Sequence, residues 1–411
     1  MFGNSDSLRH LPFFEEVAIH EEHQAAWRAA SAGLVTLRLF DTWIEEGAEA
    51  VAPNSWTVRA VLKAIDQMDD GAPTRAILRT IVSTMQASQP ADVHDVMPRL
   101  LAYARSLEYD ANWKLAVDVY DAVIAHTHPV QESDTAVTAH QQRGFCLRTM
   151  GEFEQALDAY ATAAGIAEQS GDMIGVLRAK IGDANVAAAR GNLPYADRAF
   201  DAIAQEAAIL GLAEPQARAL DGRAAVAGFR GDHELAIRFA YDALRISPDT
   251  SERDRILSNI GTAFHMLGIR SVARDAFLVL SATAQEQYTR WAATLSLMTI
   301  AAEDGSEPAF DQLRRTLSTA SMPPDMTVDY FIHLGRAHRE LQHDDLADIA
   351  FAKAIQLAEH HGLSRHLFEA EGELRVKSAK ARRESVPTPS AVVDVADAVR
   401  DLRVHMLQEQ A

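Results

Sequence analysis

Small side chains recur along this chain in pairs twelve positions apart, each pair set among apolar residues that return every three or four positions. Ala104/Ala116 is followed by Gly144/Ala156, Ala184/Ala196, Ala224/Ala236 and Gly261/Ala273, and Gly335/Ala347 comes farther on. The second members advance by 40, 40, 40, 37 and then 74, which is twice 37. Apolar residues at this spacing predict amphipathic helices. A fixed period of 37 to 40 residues predicts stacked repeats. Between the two members the pattern breaks at Gly151-Glu152, Gly191-Asn192, Gly231-Asp232 and Gly268. Glycine tolerates the left-handed conformation that ends a helix, and an acid or amide beside it starts the next one. Each unit therefore reads as two antiparallel helices joined by a tight turn.

Four positions after the second small residue stands a large ring in most units: Tyr120, Tyr160, Phe200, Phe277 and Phe351. That spacing puts ring and small residue on one helix face, where the ring fills the gap against the next unit. Ala240 breaks the series, with Phe239 or Tyr241 as substitutes, and Pro248 ends that helix.

A small residue in the first helix, a small residue and ring in the second, and a terminal proline together resemble the tetratricopeptide repeat. The resemblance spans roughly residues 54 to 372. It is clearest at Ala116, Ala156, Ala196, Ala236, Ala273 and Ala347 and weaker at Ala309 and at Ala64/Ala76. It implies an all-α, right-handed superhelical solenoid of about eight helix pairs. Most units exceed the family's usual length, so some helices or loops should be longer.

The ends differ from the array. Residues 1–53 read as a helical cap of two helices over 13–50. The second helix carries an apolar face of Leu34, Leu37, Leu39, Phe40, Trp43 and Ile44. A cap suits an array whose first unit needs cover; a separate effector domain is the other reading, and residues 1–50 hold no clear helix-turn-helix. The solenoid is expected over 54–375. Residues 376–391 form a basic Pro/Ser linker with Lys377, Lys380, Arg382 and Arg383, and 392–411 an amphipathic helix with Val392, Val395, Val399, Leu402 and Met406. That helix has two readings: it folds back onto the array, or it recruits a partner or a second copy.

The net charge of −19 argues against nucleic acid or anionic membrane as the general partner. Neither a signal-peptide pattern nor a long apolar run is present, which makes a cytoplasmic protein the expectation. The single cysteine, Cys146, excludes an internal disulfide and reads as a buried thiol. His20-Glu21-Glu22-His23 lacks the second histidine that a zinc-protease helix needs at position 24. His126/His128 and His360/His361 lack further ligands, and Arg230-Gly231-Asp232 falls on a repeat turn. No catalytic residue, metal or cofactor is expected.

One constellation carries chemistry. Offsets of −6, −3, +1 and +4 from the first small residue lie along one helical stripe. The family resemblance implies that this stripe lines a concave, ligand-holding groove. Position −6 carries Arg178, Arg218 and Arg255 in consecutive units. Elsewhere lie Arg105, Gln141, Arg148, Asn185, Asp221, Ser258, Thr262, His265, Arg336 and Arg339. Arginine offers a planar fork suited to carboxylate or phosphate, so one reading is a groove for an acidic or carboxylate-bearing protein or peptide. The other is a solvated face whose arginines pair with neighbouring acids, in a chain with 33 Arg and 6 Lys. The Lys/Asn/Arg carboxylate clamp of some family members is not expected, because Ile181 stands where its lysine would be. Two functions follow: a non-enzymatic protein- or peptide-binding scaffold, or a ligand-responsive, peptide-sensing bacterial regulator.

Overall fold

The computed structural model describes residues 9–20, 24–87, 92–320, 322–375 and 387–409. These residues form twenty α-helices and no strand. None of the helices is long and apolar enough to cross a membrane. The chain divides into two compact units, Met1–Val186 and Ala187–Ala411, with the division inside α9.

The first unit holds α1 (Leu11–Ile19), α2 (Ala25–Glu46), α3 (Trp56–Asp66), α4 (Pro73–Ala87), α5 (Met97–Tyr109) and α6 (Trp113–Ala125). It continues through α7 (Ser133–Met150), α8 (Phe153–Ser170) and most of α9 (Met173–Ala189). Helices α1 and α2 pack together, α2 lies on α3 and α4, and α1 reaches α6. Phe13, Leu37, Leu39, Phe40 and Trp43 are buried in one cluster with Val58, Ile65, Leu78, Ile81 and Tyr103. His10, just before α1, is buried between two carboxylates. Its Nδ1 lies 2.6 Å from Asp118 Oδ2 on α6, and its Nε2 lies 3.2 Å from Asp41 Oδ2 on α2.

The second unit continues with α10 (Leu193–Leu210), α11 (Ala213–Phe229), α12 (His233–Ile246), α13 (Thr250–Met266), α14 (Arg270–Thr283) and α15 (Gln287–Glu303). It ends with α16 (Glu307–Ser318), α17 (Pro324–Glu340), α18 (Asp344–His360), α19 (Ser364–Arg375) and α20 (Val393–Glu409). Within it the first helices touch in succession, α11 on α13, then α15, α17 and α19. In chain order α3 to α8 make three packed pairs in the first unit, and α11 to α18 make four in the second.

The repeat turns follow from their glycines. Gly151, Gly191, Gly231 and Gly268 all have φ between 79 and 85°, and the amide after Gly151 returns to the Leu147 carbonyl at 2.8 Å. In the Arg230-Gly231-Asp232 turn, Asp232 caps α12 by accepting from the Leu235 amide at 3.2 Å. The rings pack onto first-helix glycines. A Cβ on Gly335 would lie 2.6 Å from the Phe351 ring, and one on Gly261 3.0 Å from Phe277. Where Ala240 replaces the ring, Phe239 and Tyr241 pack partly against the core.

Three expectations need correction. The helix pair α3/α4 exists, but Ala76 is exposed and Leu78, Ile81 and Met85 are buried instead. In α16 the residues that bury are Phe310 and Leu317, beside a half-buried Ala309. In both helices bulky side chains carry the packing that the repeat register assigned to alanine. Leu402, assigned to the apolar stripe of α20, is 40% exposed. The basic stretch Lys377–Arg383 and His20-Glu21-Glu22-His23 beyond its first residue lie outside the described residues.

Candidate ligand-binding face

Along the first helices of the second unit, polar side chains meet residues 33 to 38 positions away, so each contact joins one repeat to the next. The densest group lies between α11 and α13. Arg218 pairs with Glu214 on its own helix and places Nε 3.0 Å from Glu252 Oε1 on α13. Arg255 pairs back to Asp221 and sits 3.7 Å from Glu252. Asn259 donates to Asp221 at 2.9 Å, and Ser247 donates to Glu252 Oε2 at 2.8 Å. Local sequence puts Glu252 there. Asp249 caps α13 and accepts from the Glu252 amide at 2.8 Å, and a first-turn acid suits the positive end of the helix dipole.

The arrangement has depth. The Asp221 and Glu252 side chains are 7% and 5% exposed, whereas Arg218 and Arg255 are 46% and 52% exposed. Carboxylates thus lie below and guanidiniums above. Arg218 comes closest to both carboxylates through Nε.

The same stripe continues through the unit. His265 Nε2 lies 2.8 Å from Glu303 Oε2. Thr299 Oγ1 and His333 Nδ1 are 2.9 Å apart. Loss of hydration and the charge of Arg336 lower the His333 pKa to about 4. Arg336 forks onto Glu373 at 2.8 Å and Glu369 at 2.7 Å. Arg339 donates to the Glu373 carbonyl at 2.7 Å and covers the Phe351 ring, 4.8 Å from its centroid. Ser258 is half-buried, and its carbonyl accepts from Thr262 at 3.0 Å.

In the first unit Arg105 and Arg178 are exposed, and Asn185 is half-buried. Gln141 donates to the Gly175 carbonyl at 2.9 Å. Arg148 lies over Phe145, 5.3 Å from its centroid. The sequence reading passed over Glu108, although it stands at the same +4 offset as Arg148. Its carboxylate accepts from Tyr120 at 2.6 Å and from buried Cys146 at 3.4 Å. Burial pushes the Glu108 carboxyl up, despite those bonds and the nearby charge of Arg105. It pushes the Cys146 thiol up as well, so Cys146 is held as an inert thiol.

The partners of the arginines, Glu252, Glu369 and Glu373, were also missed. Their signal was a separation near one repeat between opposite charges, which a search of local motifs does not test.

Stacked helix pairs joined by glycine turns, with rings on glycines and a polar first-helix stripe, define a helix-pair repeat solenoid. No family model and no curated protein matches the chain. Among solved structures it is similar to a Rap protein complexed with Competence and Sporulation Factor, with TM-score 0.50 and 11% identity over 82% of this chain and 99% of that one. The Rap conjugation gene regulator of plasmid pLS20, in complex with the Phr* peptide, gives TM-score 0.48 and 13% identity, over 85% of this chain and 98% of that one. A tetratricopeptide repeat protein from Parabacteroides merdae gives 0.42 and 13%, over 67% and 98%. The fold is that of the tetratricopeptide-repeat proteins.

Proposed function

We propose that the protein is a non-enzymatic scaffold whose first-helix face between α11 and α13 captures a protein or peptide through a carboxylate. The observation that carries this reading is Arg218: it rests on two acids, one of them almost fully buried, yet keeps 46% of its own side chain exposed. Buried Asp221 and Glu252 hold the two guanidiniums in place, so a ligand carboxylate meets donors already oriented. Guanidinium–carboxylate contacts are directional. Paired acids also lower the local positive charge, so geometry rather than net charge would select the ligand. Arg178 and Arg105 are further exposed arginines of the same sequence stripe, in the first unit. The shared fold of the Rap protein solved with Competence and Sporulation Factor supports ligand capture as the general mode and motivates a second reading, a ligand-responsive regulator.

The test is a peptide-library screen against the full chain, with each hit titrated as free acid and as C-terminal or side-chain amide. Arg218→Ala is expected to weaken the best acid by about 10- to 100-fold, matching a lost charged hydrogen bond of about 1.5–3 kcal/mol. Raising salt should weaken it further. Equal affinity for acid and amide, or for wild type and a folded Arg218→Ala protein, would return Arg218 to a purely intramolecular role.

A further inference from the structure

Among the described residues of the second unit, α20 is the one helix that packs far from its sequence neighbours, lying along α14 and α12. Its seat is unlike the same surface of α8, α10, α12 and α18, though the equivalent Leu115, Val119 and Ala122 of α6 are buried as well. In α14, Val272, Asp275, Ala276 and Val279 stand at −1, +2, +3 and +6 from Ala273, and all are buried. The equivalent residues around Ala156 in α8 are Gln155, Asp158, Ala159 and Thr162, and all but Ala159 are exposed. An outer face that is polar in one repeat is thus apolar in another, and α20 covers it. Val392, Val395, Ala396 and Val399 enter the same core cluster, each at most 2% exposed.

Polar contacts set direction and register. Arg238 and Asp275 both stand at +2 of their helices. Arg238 donates to the Ala391 carbonyl at 2.8 Å and lies 3.3 Å from Asp394. Asp275 pairs with Arg403 toward the other end of α20. The seat therefore reads a helix with an acid in its first turn, a Val/Ala stripe and a basic residue near its C-terminal end. Buried apolar groups supply the affinity, and the two charges exclude the reversed orientation.

We propose that the α12–α14 face is a helix-docking site, that α20 is its tethered occupant, and that it accepts the α20 of a second copy once its own is displaced. Among the described residues, α20 is held by side-chain packing, two ion pairs and one carbonyl contact, all of which a helix arriving in trans reproduces. The covalent tether through residues 376–389 makes the chain's own helix the stronger competitor, because linked partners meet at millimolar effective concentration.

The probe is a fluorescent peptide of residues 387–409, titrated by anisotropy into the full-length chain. Wild type should bind it at least tenfold more weakly than the Val395→Asp/Val399→Asp variant, whose own helix is displaced. A folded double variant that fails to bind the peptide, or one that binds it no better than wild type does, would overturn the proposal. If the double variant does not fold, Asp275→Arg in the full chain serves instead. Its own Arg403 is then repelled, and the Arg403→Asp peptide should bind it at least tenfold more tightly than the unmodified peptide. Equal binding of the two peptides would overturn the proposal equally.

Discussion

Gly182→Ala is expected to destabilise the protein by about 1–3 kcal/mol, the usual cost of overpacking, although alanine is the better helix former. A Cβ at Gly182 would lie 2.3 Å from the Tyr160 ring, and one at Gly144 would lie 2.9 Å from the same ring. Tyr160 on α8 is thus wedged between glycines of α7 and α9, and a ring held on two sides cannot swing away cheaply. Gly165→Ala is the matched control. It sits inside α8 with nothing within 4 Å of an added Cβ, so the helix-propensity gain of about 0.5–1 kcal/mol should appear undiminished. Denaturant melts of both variants give the two signs. A Gly182→Ala protein as stable as wild type would show that the ring seat is slack. Gly222, whose Cβ would lie 2.6 Å from the Phe200 ring, should behave like Gly182.

Thermal stability is expected to peak near pH 6.5 and to fall on either side through different histidines. Burial alone would lower the pKa of His10, but its bonds to Asp118 and Asp41 and their charges outweigh that and raise it to about 9. The folded state then holds this proton more tightly than the unfolded chain does. The contribution is complete below pH 6.5 and is lost as pH rises through 9. It amounts to at most about 3 kcal/mol. His333 has the opposite sign. Desolvation lowers its pKa to about 4, so its neutral form contributes fully above pH 6.5 and that contribution fades as pH falls toward 4. Melting temperatures at pH 4.5, 6.5 and 9.5 test both limbs. His10→Gln should flatten the alkaline limb, and His333→Gln should make the acid limb shallower without abolishing it, because burial lowers His126, His140, His338 and His361 as well. An alkaline limb unchanged in His10→Gln would mean that some other group carries it.

Helices, turns and rings were legible because each depends on residues within a few positions of one another. Gly151, Gly191 and Gly231 take the left-handed conformation that their place between two apolar periods required. The rings from Tyr120 to Phe351 are buried where the four-residue spacing put them. The weak units were harder, since one buried face can be built from alanine in one repeat and from Leu78 or Phe310 in another.

The polar stripe could be located along the chain but not explained from it. Whether Arg218 and Arg255 face solvent alone or rest on carboxylates depends on which rotations bring Glu252 and Asp221 beneath them, and that is set by the stacking of α11 on α13. The same holds for α20. Its amphipathic spacing is local, yet its seat is formed by Val272, Ala276 and Val279, more than a hundred residues earlier. His10 shows the contrast most plainly: nothing near it in sequence marks it as charged, and its two carboxylates come from α2 and α6. Helical periodicity is a property of neighbouring residues and can be read from them, whereas burial and charge pairing between repeats arise only when distant surfaces meet and exclude water.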